Sequence, residues 1–126
     1  GGRLKDNPKV RSRIARLATT AEVAYGMGLR VVDASAKAEK EGGAPPTMES
    51  SEYKLFTTEF SKRLADASMD LGGPGTQLRV GTAGAPMAGR AESTYRYTVL
   101  DTIGGGTSEV QKNIITRRGL GLPKNF

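Results

Sequence analysis

Three glycines, Gly104-Gly105-Gly106, lead into Thr107, Ser108 and Glu109. Glycines break a helix and a hydroxyl residue caps the next one. The pattern therefore predicts a turn opening onto a helix N-terminus, with Thr107 or Ser108 as the cap. Free N–H groups at that end, on the positive pole of the helix dipole, can hold a phosphate. No Gly-Lys-Ser/Thr follows at Walker spacing, and an ordinary capped helix after a turn carries the same residues. Chemistry elsewhere is tightly bounded, because the chain contains no Cys and no His. That excludes a disulfide framework, a thiolate zinc site, a cysteine nucleophile, a Ser-His-Asp triad and any imidazole acid or base. Carboxylates, Lys, Tyr and main-chain groups remain. With 19 Lys and Arg against 13 Asp and Glu, a net charge of +6 permits phosphate ligands of any kind. Arg3, Lys5, Lys9, Arg11, Arg13 and Arg16 make the N-terminus basic, but they ring a predicted helix without aromatic partners. They read as a solvated face rather than a nucleic-acid interface.

Helices must position that turn. Asn7-Pro8 is a helix start, and Val10, Ile14, Leu17, Ala21, Ala24, Gly28, Val31 and Ser35 follow at three- and four-residue steps. The small residues Ala21, Ala24 and Gly28 let a neighbouring element approach closely. The helix should stop near Gly42-Gly43, before Ala44-Pro45-Pro46. Thr47 is expected to cap a second helix, with Glu49 in its first turn. Its stripe is Tyr53, Phe56, Phe60, Leu64, Ala67 and Leu71, and its stop is Leu71-Gly72-Gly73-Pro74-Gly75. Residues 74–90 read as a long loop, of a length that points to a binding or interface role. A third helix is expected from Ala91 to Ile103, with Tyr95, Val99 and Ile103 on one face. A fourth runs from the Thr107/Ser108 cap to Gly119, with Val110 and Ile114 facing inward, followed by a tail from Leu120 to Phe126.

No strand-like alternation and no repeat interrupts this pattern, so the fold class is all-α, a four-helix bundle. The 126 residues suit one domain, and a 37% hydrophobic share implies a modest core. No apolar run approaches the roughly 20 residues of a membrane span and no signal peptide opens the chain, so a soluble, intracellular protein is expected. The opening Gly1-Gly2-Arg3, without Met, suits a processed, tagged or partial chain.

The stretch from Ile103 to Pro123 closely resembles the C-terminal signature of acyl-CoA dehydrogenases, particularly of actinobacterial type. Gly106, Thr107, Ser108, Glu109, Val110, Gln111, Lys112 and Arg117 fall on the family's glycine-threonine-serine turn and last helix. Leu71-Gly72-Gly73-Pro74-Gly75 looks like its leucine-glycine-glycine-x-glycine helix end, and Arg96 matches the arginine of the preceding helix. The layout agrees along essentially the whole chain. The resemblance implies that residues 1–126 form one bundle of the family's C-terminal domain type, without its N-terminal helical and middle β domains.

It further implies an FAD-dependent parent that oxidises an acyl-CoA thioester at its α and β carbons, as in fatty acid β-oxidation and lipid metabolism. The implied setting is the cytoplasm, with an electron-transfer flavoprotein-type acceptor and a homo- or hetero-oligomer. No nucleic acid and no membrane span are expected. Thr107, Ser108 and Glu109 fall on the turn that contacts FAD. Met69, Gly72, Gly73 and Gly75 fall on the segment that meets the adenine end of a neighbouring subunit's FAD, although the family often carries Gln where Met69 stands. Gly105 and Gly106 fall beside the substrate, and Arg96 and Arg117 are expected mainly to brace helices. Many members place the glutamate base that removes the α-proton just before the glycine-threonine-serine turn. Here that residue is Gly105, so no catalytic residue is assigned in this chain, and the base is expected upstream or on a partner subunit. Two other readings stand beside this one: a non-catalytic subunit of a hetero-oligomeric dehydrogenase, and a helical interaction module.

Overall fold

The computed structural model describes residues 3–123, and the expected ends at Gly1-Gly2 and 124–126 lie outside the described residues. Four helices account for most of these: α1 (Pro8–Glu41), α2 (Thr47–Gly72), α3 (Arg90–Asp101) and α4 (Ser108–Gly119). No strand occurs among the described residues, as expected for an all-α chain. Local chemistry explains the ends of α1. The Asn7 side chain accepts the Lys9 and Val10 N–H groups, Pro8 occupies the first turn, and Gly42 at φ +66° closes the helix in a left-handed cap.

α2 is the hub, with α1, α3 and α4 all packed against it. Tyr53 shows what the small residues of α1 allow, because a Cβ on Gly28 would lie 3.3 Å from its ring. The buried apolar residues are few and mostly small: Phe60, Ala65, Ala67 and Ala91. Ser51, Thr76, Glu92, Thr98, Ser108 and Gln111 are buried too, and Ser108 bonds across from α4 to Glu59 of α2. No residue of α1 is fully buried, since α2 covers only one side of it. No helix among the described residues is long and apolar enough to cross a membrane.

Four local expectations are corrected. Thr47 is the first residue of α2 and not its cap: Pro46 holds the cap position with no side-chain bond, and the Thr47 hydroxyl accepts from Arg118 instead. The 74–90 stretch is not one loop but contains 3-10 turns at Pro74–Gln77 and Pro86–Gly89. α3 spans Arg90–Asp101, and its Tyr95, Val99 and Ile103 side of the chain is exposed, while Ala91, Glu92 and Thr98 face inward. In α4, Val110 is exposed, and Ser108 and Gln111 make the inward contacts.

Candidate functional site

The glycine turn is held from two sides. The Lys54 ammonium, on α2, donates to the Gly106 carbonyl at 2.5 Å, and the Gln111 amide, on α4, donates to Gly105 O at 3.0 Å and Gly106 O at 3.4 Å. Gly105 and Gly106 sit at φ +69° and +99°, in the region that favours glycine. A Cβ on Gly106 would come within 2.7 Å of the Gln111 amide nitrogen, so glycine there also makes room for the brace. With both carbonyls drawn toward Lys54 and Gln111, trans peptide geometry turns the N–H groups of Gly106 and Thr107 the opposite way. Neither these two N–H groups nor that of Ser108 has a main-chain acceptor among the described residues.

The helix start adds to this. Thr107 caps α4 by accepting the Val110 N–H at 3.3 Å. Ser108 is buried, and its hydroxyl donates to the Glu59 carboxylate at 2.9 Å, tying α4 to α2. Glu109 is exposed. Its carboxyl is held below its ordinary range by its own main-chain N–H, then by the Thr107 hydroxyl, with Lys112 adding to the effect. The turn therefore offers N–H donors suited to an anionic oxygen, beside an ionised carboxylate suited to a hydroxyl or N–H donor. A dinucleotide carries both kinds of group, so these residues fit one.

The second candidate segment is separate. Met69 and Glu59 are ten residues apart on α2, about 15 Å along its axis. Gly73, at φ +71°, ends α2 with its N–H on Met69 O. The Thr76 hydroxyl donates to Met69 O and Gly73 O at 3.1 and 2.6 Å, and a Cβ on Gly72 would collide with the Thr76 methyl. Gly75 lies against Pro86, its absent Cβ 3.3 Å from the ring. Met69 lines an open pocket of about 690 Å³ with Arg13, Asp66, Asp70, Gln77 and Tyr95. The structure thus does not bring Met69–Gly75 and Gly105–Glu109 into one cavity.

Arg96 bonds a carboxylate one turn earlier on its own helix and joins no second helix among the described residues. It pairs with Glu92 at 2.6 Å, and Arg79 approaches the same buried carboxylate at 3.9 Å. Arg117 is exposed, and its neighbour Arg118 makes the helix-to-helix contact, with Thr47. No group of three or more acidic residues able to hold a metal occurs among the described residues. Reading the sequence missed Lys54 and Glu59. Their signal was there, as two charged residues flanking the apolar stripe of Tyr53, Phe56 and Phe60.

The sequence profile described as "Acyl-CoA dehydrogenase, C-terminal domain" matches residues 1–120. The chain is 34% identical over 127 residues to acyl-CoA dehydrogenase FadE26 of Mycobacterium tuberculosis, covering 98% of this chain and 30% of the relative. It is 33% identical to acyl-CoA dehydrogenase IpdE1 of the same organism, covering 94% of this chain and 28% of that protein. Among solved structures, the ChsE4-ChsE5 complex from Mycobacterium tuberculosis superposes with a TM-score of 0.83 at 32% identity, covering all of this chain and 31% of the matched one. A structure titled "Tcur3481-Tcur3483 steroid ACAD" gives 0.84 at 23% identity, covering 97% and 30%; it shows the fold alone. The chain therefore spans about three tenths of the length of the proteins it matches.

Proposed function

This chain belongs to the acyl-CoA dehydrogenase C-terminal domain family, and from that premise we propose that it forms the C-terminal bundle of an FAD-dependent enzyme that desaturates an acyl-CoA between its α and β carbons. The observation that carries the flavin reading is the turn at 105–109, with its carbonyls braced inward and its N–H groups turned outward. The Gly106, Thr107 and Ser108 N–H groups would hold anionic oxygens of FAD, and Glu109 would accept from a hydroxyl or amine of the same ligand. Met69, Gly72, Gly73 and Gly75, at the far end of α2, would meet the adenine end of a second FAD, carried by a neighbouring subunit. When bound, the flavin supplies the acceptor for the β-hydride, and the protein supplies placement and electrostatics. Gly105 and Gly106 would lie beside the substrate, and the remaining domains would come from residues beyond these 126. An electron-transfer flavoprotein-type acceptor and a cytoplasmic setting belong to the same proposal.

The test uses the full-length protein that carries this chain. Replacing Thr107 and Ser108 together by Ala removes the α4 cap and the tie to Glu59 that hold these N–H donors in place, and should weaken FAD retention by about 1.5–3 kcal/mol, roughly tenfold to a hundredfold in dissociation constant. Unchanged affinity would remove the turn from the cofactor site.

A second reading is favoured by one observation: Gly105 carries no proton acceptor, and space is open where its Cβ would be. The chain then belongs to a subunit that completes a partner's site without supplying the base. A solved relative named as a two-component complex supports that reading. Glu109→Gln and Asp101→Asn, made separately, should leave α-proton exchange intact. Loss of exchange with normal FAD and acyl-CoA binding would place the base in this segment.

A further inference from the structure

Two neighbouring peptide groups of the glycine turn are held by different chemistry. The Gly105 carbonyl, which shares a peptide with the Gly106 N–H, accepts from the neutral Gln111 amide at 3.0 Å. The Gly106 carbonyl, which shares a peptide with the Thr107 N–H, accepts from the half-buried Lys54 ammonium at 2.5 Å. No cis peptide occurs among the described residues, so the ammonium and the Thr107 hydrogen stand at opposite ends of one planar group. Lys54 therefore acts on this N–H through the peptide and does not occupy the side to which it points.

A cation on a carbonyl oxygen fixes the peptide plane and draws electron density toward that oxygen. The delocalised amide passes the effect to its nitrogen, which makes the N–H a stronger donor. A bond to a charged partner is about twice as strong as a neutral one, so Lys54 does this more than Gln111 does. Holding the turn closed takes no charge, as Gln111 shows at Gly105, and half-burying an ammonium costs free energy that a neutral donor would not. The attachment of α4 is a separate matter. Glu59, five residues further along α2, bonds the Ser108 hydroxyl and ties the helix start to α2 without Lys54.

We propose that Lys54 is a positioning residue of the flavin site: its charge, acting through the Gly106–Thr107 peptide, sets the direction and strength of the Thr107 N–H as a donor to the FAD diphosphate. This role rests on the flavin reading above. It goes beyond that reading by placing a source of the turn's preference for an anion on α2, 52 residues away in sequence, and not on the α4 dipole alone.

The experiment uses the full-length protein, freed of flavin and titrated with FAD, in three variants. Lys54→Met removes charge and donor, Lys54→Gln keeps a neutral donor, and Lys54→Arg keeps a cation. Met and Gln should each weaken FAD binding by about tenfold, and Arg should bind within about threefold of the unchanged protein. The phosphorus NMR resonances of bound FAD should shift in Lys54→Met and hold their place in Lys54→Arg. Exchange of the Val110 and Gln111 amides should change by less than about twofold in all three, since Ser108 still holds α4 on α2. Full affinity in Lys54→Gln, no rescue by Lys54→Arg, or unmoved phosphorus resonances in Lys54→Met would overturn the role. Exchange that rises about tenfold in step with the loss of FAD would overturn it too, because the turn would then merely have come apart. Should Lys54→Met fail to fold, Lys54→Gln set against Lys54→Arg makes the same comparison. If Thr107→Ala with Ser108→Ala weakens FAD binding and the Lys54 variants do not, the Lys54 role falls and the flavin reading stands. If none of them weakens it, both fall.

Discussion

Ser108→Ala tests whether the buried hydroxyl braces the candidate cofactor turn from behind. Ser108 is 8% exposed and donates to Glu59 at 2.9 Å, the side-chain bond that fixes the start of α4 on α2. A hydrogen bond to a charged group is worth about 1.5–3 kcal/mol. Glu59 is only half-buried and lines an open groove with Met27, Leu55, Phe56 and Ile115, so water reaches its freed oxygen and recovers part of that. The lower end, about 1.5 kcal/mol, is therefore expected. In local opening, 1.4 kcal/mol corresponds to about tenfold, so the bonded amides of Val110 and Gln111 should exchange roughly tenfold faster in the full-length protein. Glu59→Gln keeps an acceptor but removes the charge, and should cost about half as much. Hydrogen exchange read by mass spectrometry gives both values on the same peptides. Exchange unchanged within about twofold in Ser108→Ala would refute the brace. If FAD retention then fell all the same, the hydroxyl would be acting on the ligand directly.

Gly89 sits at φ +78°, and a Cβ there would lie 2.3 Å from Val80 N and 2.5 Å from Arg79 C, so Gly89→Ala should destabilise by upward of about 2 kcal/mol. Gly81→Ala, at φ +88° with nothing near its Cβ, should cost the backbone strain alone, about 1 kcal/mol, and equal urea midpoints for the two would reject the contact argument. Glu109 has a carboxyl lowered in the folded state, so its contribution is present above its ordinary value of 4.5 and is lost as pH falls through the lowered one. The stability difference between the protein and Glu109→Gln should accordingly shrink below pH 4.5, and a difference constant from pH 7 to pH 3 would contradict the assigned hydrogen bonds.

The sequence by itself determined what short-range chemistry controls. Asn7 and Pro8 start α1, Gly42 ends it, Gly72-Gly73 end α2 and Thr107 caps α4, because each signal acts within about one helical turn. The three- and four-residue stripes likewise placed all four helices, and the glycine-threonine-serine motif located the candidate turn. A stripe names residues that share a helix side, but not which side a neighbour covers. That is why α3 turns Ala91, Glu92 and Thr98 inward and leaves Tyr95 and Val99 exposed, and why Val110 faces out. Only tertiary structure decided the braces of the site. Ser108 and Glu59 lie 49 residues apart, Lys54 and Gly106 lie 52 apart, and Thr47 and Arg118 lie 71 apart. Charged and hydroxyl side chains have many equivalent partners in an extended chain. Packing α4 against α2 brings each pair within reach, and for Ser108 and Lys54 the partly buried polar group must find its hydrogen bond there.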